Sequence, residues 1–509
     1  SSFNRVLLIE AGGSDARFWI KVPLGYAKTF ADAAVNWCYN ALPDKGLNGR
    51  AAYWPRGKVV GGSSSINAMA YLRGLPHDFD DWERAGATGW NWDSVRKTYE
   101  ALETQVARDG STKGDGPLVV SDVSAGMHPF SGHFMEAARD MGWSVANNLN
   151  GEDYEGLMRM RSTVKKGRRW SAADAFLRPA KTRPNLTVVT RALVEKVIIE
   201  DGRATGVSYR VAGTSTRAVA RKEVILSAGA INSPQILQLS GVGPAEVLQK
   251  HGIKVLHDLP AVVRHLQDHL AISHYYRANE PTLNNKLGNR LGQWIAGLRY
   301  VLTRKGPLSV PVNQVSGYVR STPDAAVPDI QVYCNPMSYL TNAAGAVGVD
   351  PEAGFLLCVQ PSRPTSRGEV MIGSANPADA PLIRPNSLST NEDCDMVLKA
   401  SRLLQQLAQT PAIRRVTAAR LAPDITTMDD AALLENFRNR SGTVFHPTST
   451  CRMGRDATDS VLDAKLRVHG VAGLRVVDAS AFPNVTSGNT NAPTIMLAAR
   501  AAELILQDA

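Results

Sequence analysis

Four stretches of the 509-residue chain carry residue types that can do chemistry. In Val444-Phe445-His446-Pro447 a histidine lies between an aromatic residue and a proline. A neutral imidazole there can take up a proton near neutral pH, although an isolated histidine is more often structural. Asp478-Ala479-Ser480 ends a strand pattern, and Ser487-Gly488-Asn489-Thr490-Asn491-Ala492-Pro493-Thr494 leads a polar loop into a helix expected to start near Pro493. Its carboxamides can orient an oxygen but cannot titrate, and a helix N-terminus stabilises negative charge on a ligand. Arg56-Gly57-Lys58-Val59-Val60-Gly61-Gly62-Ser63-Ser64-Ser65-Ile66-Asn67-Ala68-Met69-Ala70 is rich in small residues that let backbone N–H groups approach a polar ligand. Its apolar members are ones a solvated linker would not need. Finally, Glu10 ends the apolar run Val6-Leu7-Leu8-Ile9 and precedes Gly12-Gly13. An acidic residue at that point of a dinucleotide-binding unit accepts hydrogen bonds from ribose hydroxyls.

The partner of Glu10 should be a G-x-G-x-x-G phosphate loop about 20 residues earlier. Only nine residues precede it, and Gly241-Val242-Gly243 follows a helix pattern, carries Pro244 and lacks the third glycine. The expectation is a chain truncated at its N-terminus.

Strand-then-helix patterns recur at the start, middle and end. Glu223-Val224-Ile225-Leu226 leads through Gly229 into a helix that Asn232 or Ser233 can cap and Gly241 can end, with Pro234 in its first turn. Leu474-Val477 is a third strand, before the last helix. The fold class expected is therefore α/β: a Rossmann-like, doubly wound domain assembled from discontinuous segments. Segments 329–333 and 368–372 read as antiparallel strands and 392–407 as an amphipathic helix, so residues 272–437 form an inserted antiparallel-sheet substrate domain with helices. The dinucleotide-binding part then comprises 1–130, 185–271 and 438–509.

Composition points to an ordinary globular chain, 44% hydrophobic and 20% charged. No apolar run has the length of a membrane span. Five scattered cysteines fit reduced thiols and a cytoplasmic setting. The net charge of +10 is spread along the chain without a nucleic-acid-binding module, so no nucleic-acid partner is expected. It leaves open a peripheral contact with anionic lipid at the inner face of a membrane.

Taken together, the Gly-Gly-Ser-Ser segment, the Gly229–Gly243 segment, His446-Pro447 and Asn489–Thr494 resemble the signatures of the glucose–methanol–choline oxidoreductases, in the right order. Shorter matches include Asn36-Trp37-x-Tyr39, Asp78-Phe79-Asp80-x-Trp82, Leu266-Gln267-Asp268-His269 and Ser366-Arg367-Gly368. The pattern looks closer to bacterial choline-dehydrogenase-like members. The resemblance implies FAD as cofactor, with a six-stranded or similar sheet capping the flavin. It implies Glu10 on the adenosine ribose and Val194 at the adenine. Val59, Gly61, Gly62, Asn67, Ala68, Met69 and Ala70 would lie along the flavin, and Asp478, Ala479, Pro493 and Thr494 would complete the site. It makes His446 and Asn491 the catalytic pair. Some members tether FAD through a histidine where this chain has Ile66, so the flavin is expected to be non-covalent. A departure lies at Pro260–Gln267: where members carry Gly-Val-Gly and Asn, this chain has Ala261, Val263 and His265, which restricts the backbone near the cofactor.

The reaction so implied is oxidation of an alcohol, with a primary CH–OH group passing a hydride to the flavin and a proton to His446 while Asn491 holds the oxygen. A quinone-type acceptor is expected to re-oxidise the flavin. An oxygen-using oxidase, and a lyase or inactive member on the same fold, are the alternatives. No G-x-S-x-G elbow suggests a serine hydrolase. His265 and His269 have helical i,i+4 spacing for zinc but no evident third ligand, so no metal is expected. A choline-type substrate would need an aromatic and acidic cage, which sequence alone does not assemble.

Overall fold

The computed structural model describes residues 4–151, 153–341, 346–421 and 423–508; the ends of the expected segments at 1–3 and 509 lie outside them. The chain is a mixed α/β protein with two main apolar cores. One lies among the dinucleotide-binding segments and the other behind a large sheet.

The strands that matter are β1 (Val6–Glu10), β2 (Gly156–Arg159), β3 (Leu186–Thr190), β4 (Val224–Leu226), β5 (Leu270–Ala278), β6 (Val315–Val319), β7 (Ile330–Asn335), β8 (Gly354–Pro361), β9 (Thr417–Arg420) and β10 (Leu474–Val476). The helices are α1 (Gly229–Leu239), α2 (Arg290–Thr303), α3 (Asn391–Gln409) and α4 (Asn491–Gln507). The short apolar runs form parallel pairs, β1 with β3 and β4 with β10. Among the described residues no strand joins the two pairs. The large sheet is antiparallel in the order β9-β5-β8-β7-β6-β2, and Gly442–Thr443 adds a seventh strand beside β5. It draws β2 from outside 272–437. α3 packs its apolar face on β8.

Two local expectations are corrected. α1 begins at Gly229, so Asn232 and Ser233 lie inside it and Pro234 is an interior residue. The N-terminal donor is satisfied from far along the chain: Gly229 N donates to Asp478 Oδ2 (2.9 Å), as does Ser233 Oγ (2.6 Å). α4 begins at Asn491 rather than Pro493. The strand Glu369–Met371 pairs only with Leu382–Arg384 in a separate hairpin, outside the large sheet.

Candidate active site

A cavity of 3190 Å³ runs from β1 and β4 past α1 and α4 to the large sheet. Pockets for drug-sized ligands measure roughly 300–1,000 Å³, so this one has room for an extended cofactor and a substrate. Glu10, Gly61, Gly62, Asn67, Ala68, Met69, Ala70, Val194, Asp478, Ala479, Asn491, Thr494 and His446 all line it. Val59 and Pro493 do not: Val59 packs behind the loop with Ile20, Val35 and Ile66, and Pro493 is buried in α4.

His446 sits at the sheet end of the cavity, held from its backbone outward. Its N–H donates to Asp268 Oδ1 (2.8 Å), and Thr443 Oγ1 donates to Asp268 Oδ2. Phe445 takes φ +69°, a left-handed conformation that costs a non-glycine residue roughly 1–3 kcal/mol. It is clamped there because its N–H donates to Thr443 Oγ1 (2.9 Å) and its carbonyl accepts from Arg56 Nη2 (2.7 Å). This twist turns the next side chain toward the cavity.

The imidazole's hydrogen bonds define its tautomer. His269 Nε2 lies 2.9 Å from the Ser362 carbonyl, an acceptor only, so Nε2 carries the proton. Burial pushes the His269 pKa down to about 4, so the ring is neutral and its Nδ1 must accept. The group 3.0 Å from that Nδ1 is His446 Nδ1, which therefore donates. Burial above all holds the His446 pKa well below the usual histidine value. His446 is thus neutral with a lone pair on Nε2, which accepts from Asn489 Nδ2 at 3.1 Å. Sequence reasoning assigned no role to Asn489, His269 or Ser362. The first two lie in motifs it singled out, whereas Ser362 contributes only a main-chain oxygen. Asn491 lines the same cavity from the first turn of α4.

The loop around Gly61 and Gly62 is anchored by another unforeseen residue. Arg169, fully buried, donates through Nε to Ile20 O (2.8 Å) and through Nη1 to Asn67 Oδ1 (2.7 Å) and Ser64 O (3.2 Å). Asn67 Oδ1 also accepts from Met69 N (3.0 Å), holding Met69 at φ +59°. Gly62 (φ +55°) and Gly229 (φ +85°) have open space where a Cβ would project, so ligand can approach their backbone. At the other end, Glu10 Oε1 accepts from Gly12 N (2.7 Å), and burial pushes its carboxyl up to about 7. Asp478 is occupied at both oxygens, by Gly229, Ser233 and Ser480. It shapes the cavity wall by pinning α1.

The substituted glycine loop forms without strain at Ala261 or Val263, which sit in a 3-10 turn; His265 takes φ +69°, a conformation asparagine adopts more readily. His265 and His269 lie on an extended stretch bridged to Gly368 and Thr448, so their spacing places no two ligands on a helix face. Among the described residues no three His, Cys, Asp or Glu side chains converge as a metal site, and no helix is long and apolar enough to cross a membrane.

A strand-end carboxylate, an open-backboned glycine loop and a neutral imidazole thus meet around one long cavity. Sequence models of the GMC oxidoreductase match residues 7–271 and 364–498, and the chain belongs to that family of FAD-binding enzymes. It is 40% identical over 509 residues to the alcohol dehydrogenase (acceptor) of Pseudomonas putida, covering 99% of this chain and 91% of the relative. It is 39% identical to the mitochondrial choline dehydrogenase of Homo sapiens, covering 99% and 85%. The crystal structure of pyridoxine 4-oxidase from Mesorbium loti superposes with a TM-score of 0.87 at 30% identity, covering 99% and 94%. The likeness to formate oxidase (TM-score 0.91, 24% identity, covering 100% and 94%) concerns the fold alone.

Proposed function

We propose that the protein oxidises an uncharged primary alcohol to the aldehyde, with His446 as proton acceptor and a quinone-type molecule as electron acceptor. The observation that carries this reading is the Ser362–His269–His446 chain, which leaves the Nε2 lone pair facing the cavity. The alcohol O–H donates to Nε2 in the place now taken by the Asn489 amide, and Nε2 receives the proton. Asn489 and Asn491 then hold the oxygen from α4 and the loop before it, supplying N–H donors as negative charge develops there. A bound FAD would supply the hydride acceptor for the substrate carbon. Gly61, Gly62, Asn67, Ala68, Met69 and Ala70 would hold its ring system, Glu10 its ribose and Val194 its adenine. Ile66 offers no nucleophile for a covalent link, so the cofactor is held without one. On this reading 1–130, 185–271 and 438–509 serve the cofactor and 272–437 the substrate.

The substrate end favours a neutral molecule. Tyr275, Tyr333 and Tyr339 line it together with Val312 and Met337, and an aromatic wall suits a cation. Among the described residues, the acidic ones that line the cavity are Glu10, Glu223, Asp478 and Asp508. Glu10 lies at the ribose end, Asp478 is internally paired, and Glu223 and Asp508 both pair with Arg475. None is left to balance a quaternary ammonium. The similarity to an alcohol dehydrogenase named for an acceptor supports an alcohol as substrate.

The test is anaerobic mixing of the FAD-loaded protein with 1-octanol or choline while flavin absorbance is followed. Octanol should bleach the flavin faster than choline, and His446→Ala should slow bleaching about 10²-fold or more. Equal rates for parent and variant would remove His446 from the reaction, and a preference for choline would remove the neutral-substrate reading.

A further inference from the structure

We propose that the outer face of α2 docks on an anionic lipid bilayer. In a surface helix the apolar stripe normally faces the core; α2 is built the other way round. Its buried residues are Ala296 and Tyr300, and the Tyr300 hydroxyl donates to Gly167 O (3.0 Å). Leu291, Trp294, Ile295, Leu298, Val301 and Leu302 point to solvent, with Leu302 73%, Leu291 68% and Trp294 65% exposed. At about 100° per residue these six fall within a sector of about 120°. Phe18, also exposed, makes an edge-on contact with the buried Tyr300 at 6.4 Å. A continuous apolar face of this kind marks an interaction site rather than ordinary surface.

The surrounding charge selects the partner. Lys286, Arg290, Arg299, Arg304 and Lys305 lie on α2 or within five residues of its ends, a stretch in which the chain has no acidic residue. The exposed hairpin residues Lys165, Lys166 and Arg168 flank the C-terminal end of α2, where Gly167 packs against Arg304. An apolar stripe with an aromatic residue and a basic rim is the pattern of a helix lying in the interface of an anionic membrane. A second copy fits less well: symmetric pairing would set this rim against itself. α2 also forms part of the cavity wall through Gln293, Gly297 and Val301. A docked molecule therefore has only one helix between the bilayer and its active site.

The experiment uses the full FAD-loaded chain with phosphatidylcholine vesicles, with and without phosphatidylglycerol, read by co-sedimentation and by the blue shift of tryptophan emission. The parent should bind the phosphatidylglycerol vesicles, more weakly as salt rises. Binding should fall at least about tenfold in Trp294→Ser/Leu298→Ser and in Arg299→Gln/Arg304→Gln/Lys305→Gln. Turnover with a water-soluble acceptor should be unchanged in Trp294→Ser/Leu298→Ser, which shows that it is folded. Absence of parent binding, or equal binding by parent and variants, overturns the proposal. So does a parent dimer that Leu298→Glu converts to monomer, which would make the face a contact between copies of this chain. The binding readouts need no alcohol oxidation and stand apart from the catalytic reading.

Discussion

His446 accepts a proton at Nε2 only while Nδ1 keeps its own, and His269 is the group that keeps it there. His269 is in this sense a positioning residue. Replacing it by Leu removes the acceptor, so the His446 ring is free to hold its proton on either nitrogen. Turnover should fall roughly tenfold, with a smaller change in KM. A neutral His269 that accepts from the Nδ1–H favours the protonated His446 ring, so its loss should lower the His446 pKa. A base works above its pKa, so the acid limb of the kcat/KM profile should move to lower pH. Measurement of pH profiles for parent and His269→Leu checks this; a fall in rate with the acid limb unmoved would leave His269 a packing role only. His446 itself was legible in the sequence because the motif around it is local. His269 was visible in Leu266-Gln267-Asp268-His269, but its role was not, since Ser362 and His446 reach it only through the folded sheet.

At the scale of elements, α1 shows why the helix start was misplaced. Local rules look for a capping side chain just before the helix, and Asn232 and Ser233 were the nearest candidates. The group that satisfies the first turn is Asp478, across the β4–β10 pair. Asp478→Ala strands the Gly229 and Ser480 N–H groups and the Ser233 hydroxyl, a loss of about 1–3 kcal/mol for each buried donor left unpaired. Thermal denaturation should show the loss, and Ser233→Ala in the same background should recover part of it by removing one stranded group. If Asp478→Ala melts like the parent, the pinning of α1 does not depend on this carboxylate. The periodicity of α3 was plain from sequence, since its apolar stripe faces a core. An apolar stripe that faces outward looks the same in sequence, so the orientation of α2 emerges only from packing.

Across the whole molecule, two parallel pairs, a seven-stranded sheet and four unconnected stretches of chain meet at one cavity. The α/β class and the order of segments follow from strand–helix alternation; the number of strands in the sheet did not, because Gly156–Arg159 and Gly442–Thr443 are too short to announce themselves. Cofactor binding offers a test at this scale. Burial places the Glu10 carboxyl at about 7, and the ionised form is the better acceptor for ribose hydroxyls. FAD affinity should therefore rise as pH rises through about 7 and weaken as pH falls below it. The gain in melting temperature on adding FAD should be larger at about pH 8 than at about pH 6, and Glu10→Gln should flatten the difference. A parent whose gain is independent of pH would take Glu10 out of the cofactor site. One consequence of the catalytic network concerns its tolerance to genetic change. The network terminates on the peptide oxygen of position 362, not on a side chain, so that anchor is conserved by the backbone itself. In a saturation library positions 269 and 446 should be depleted, while position 362 accepts other small residues that fit its buried site, leaving no mark of the most distal link.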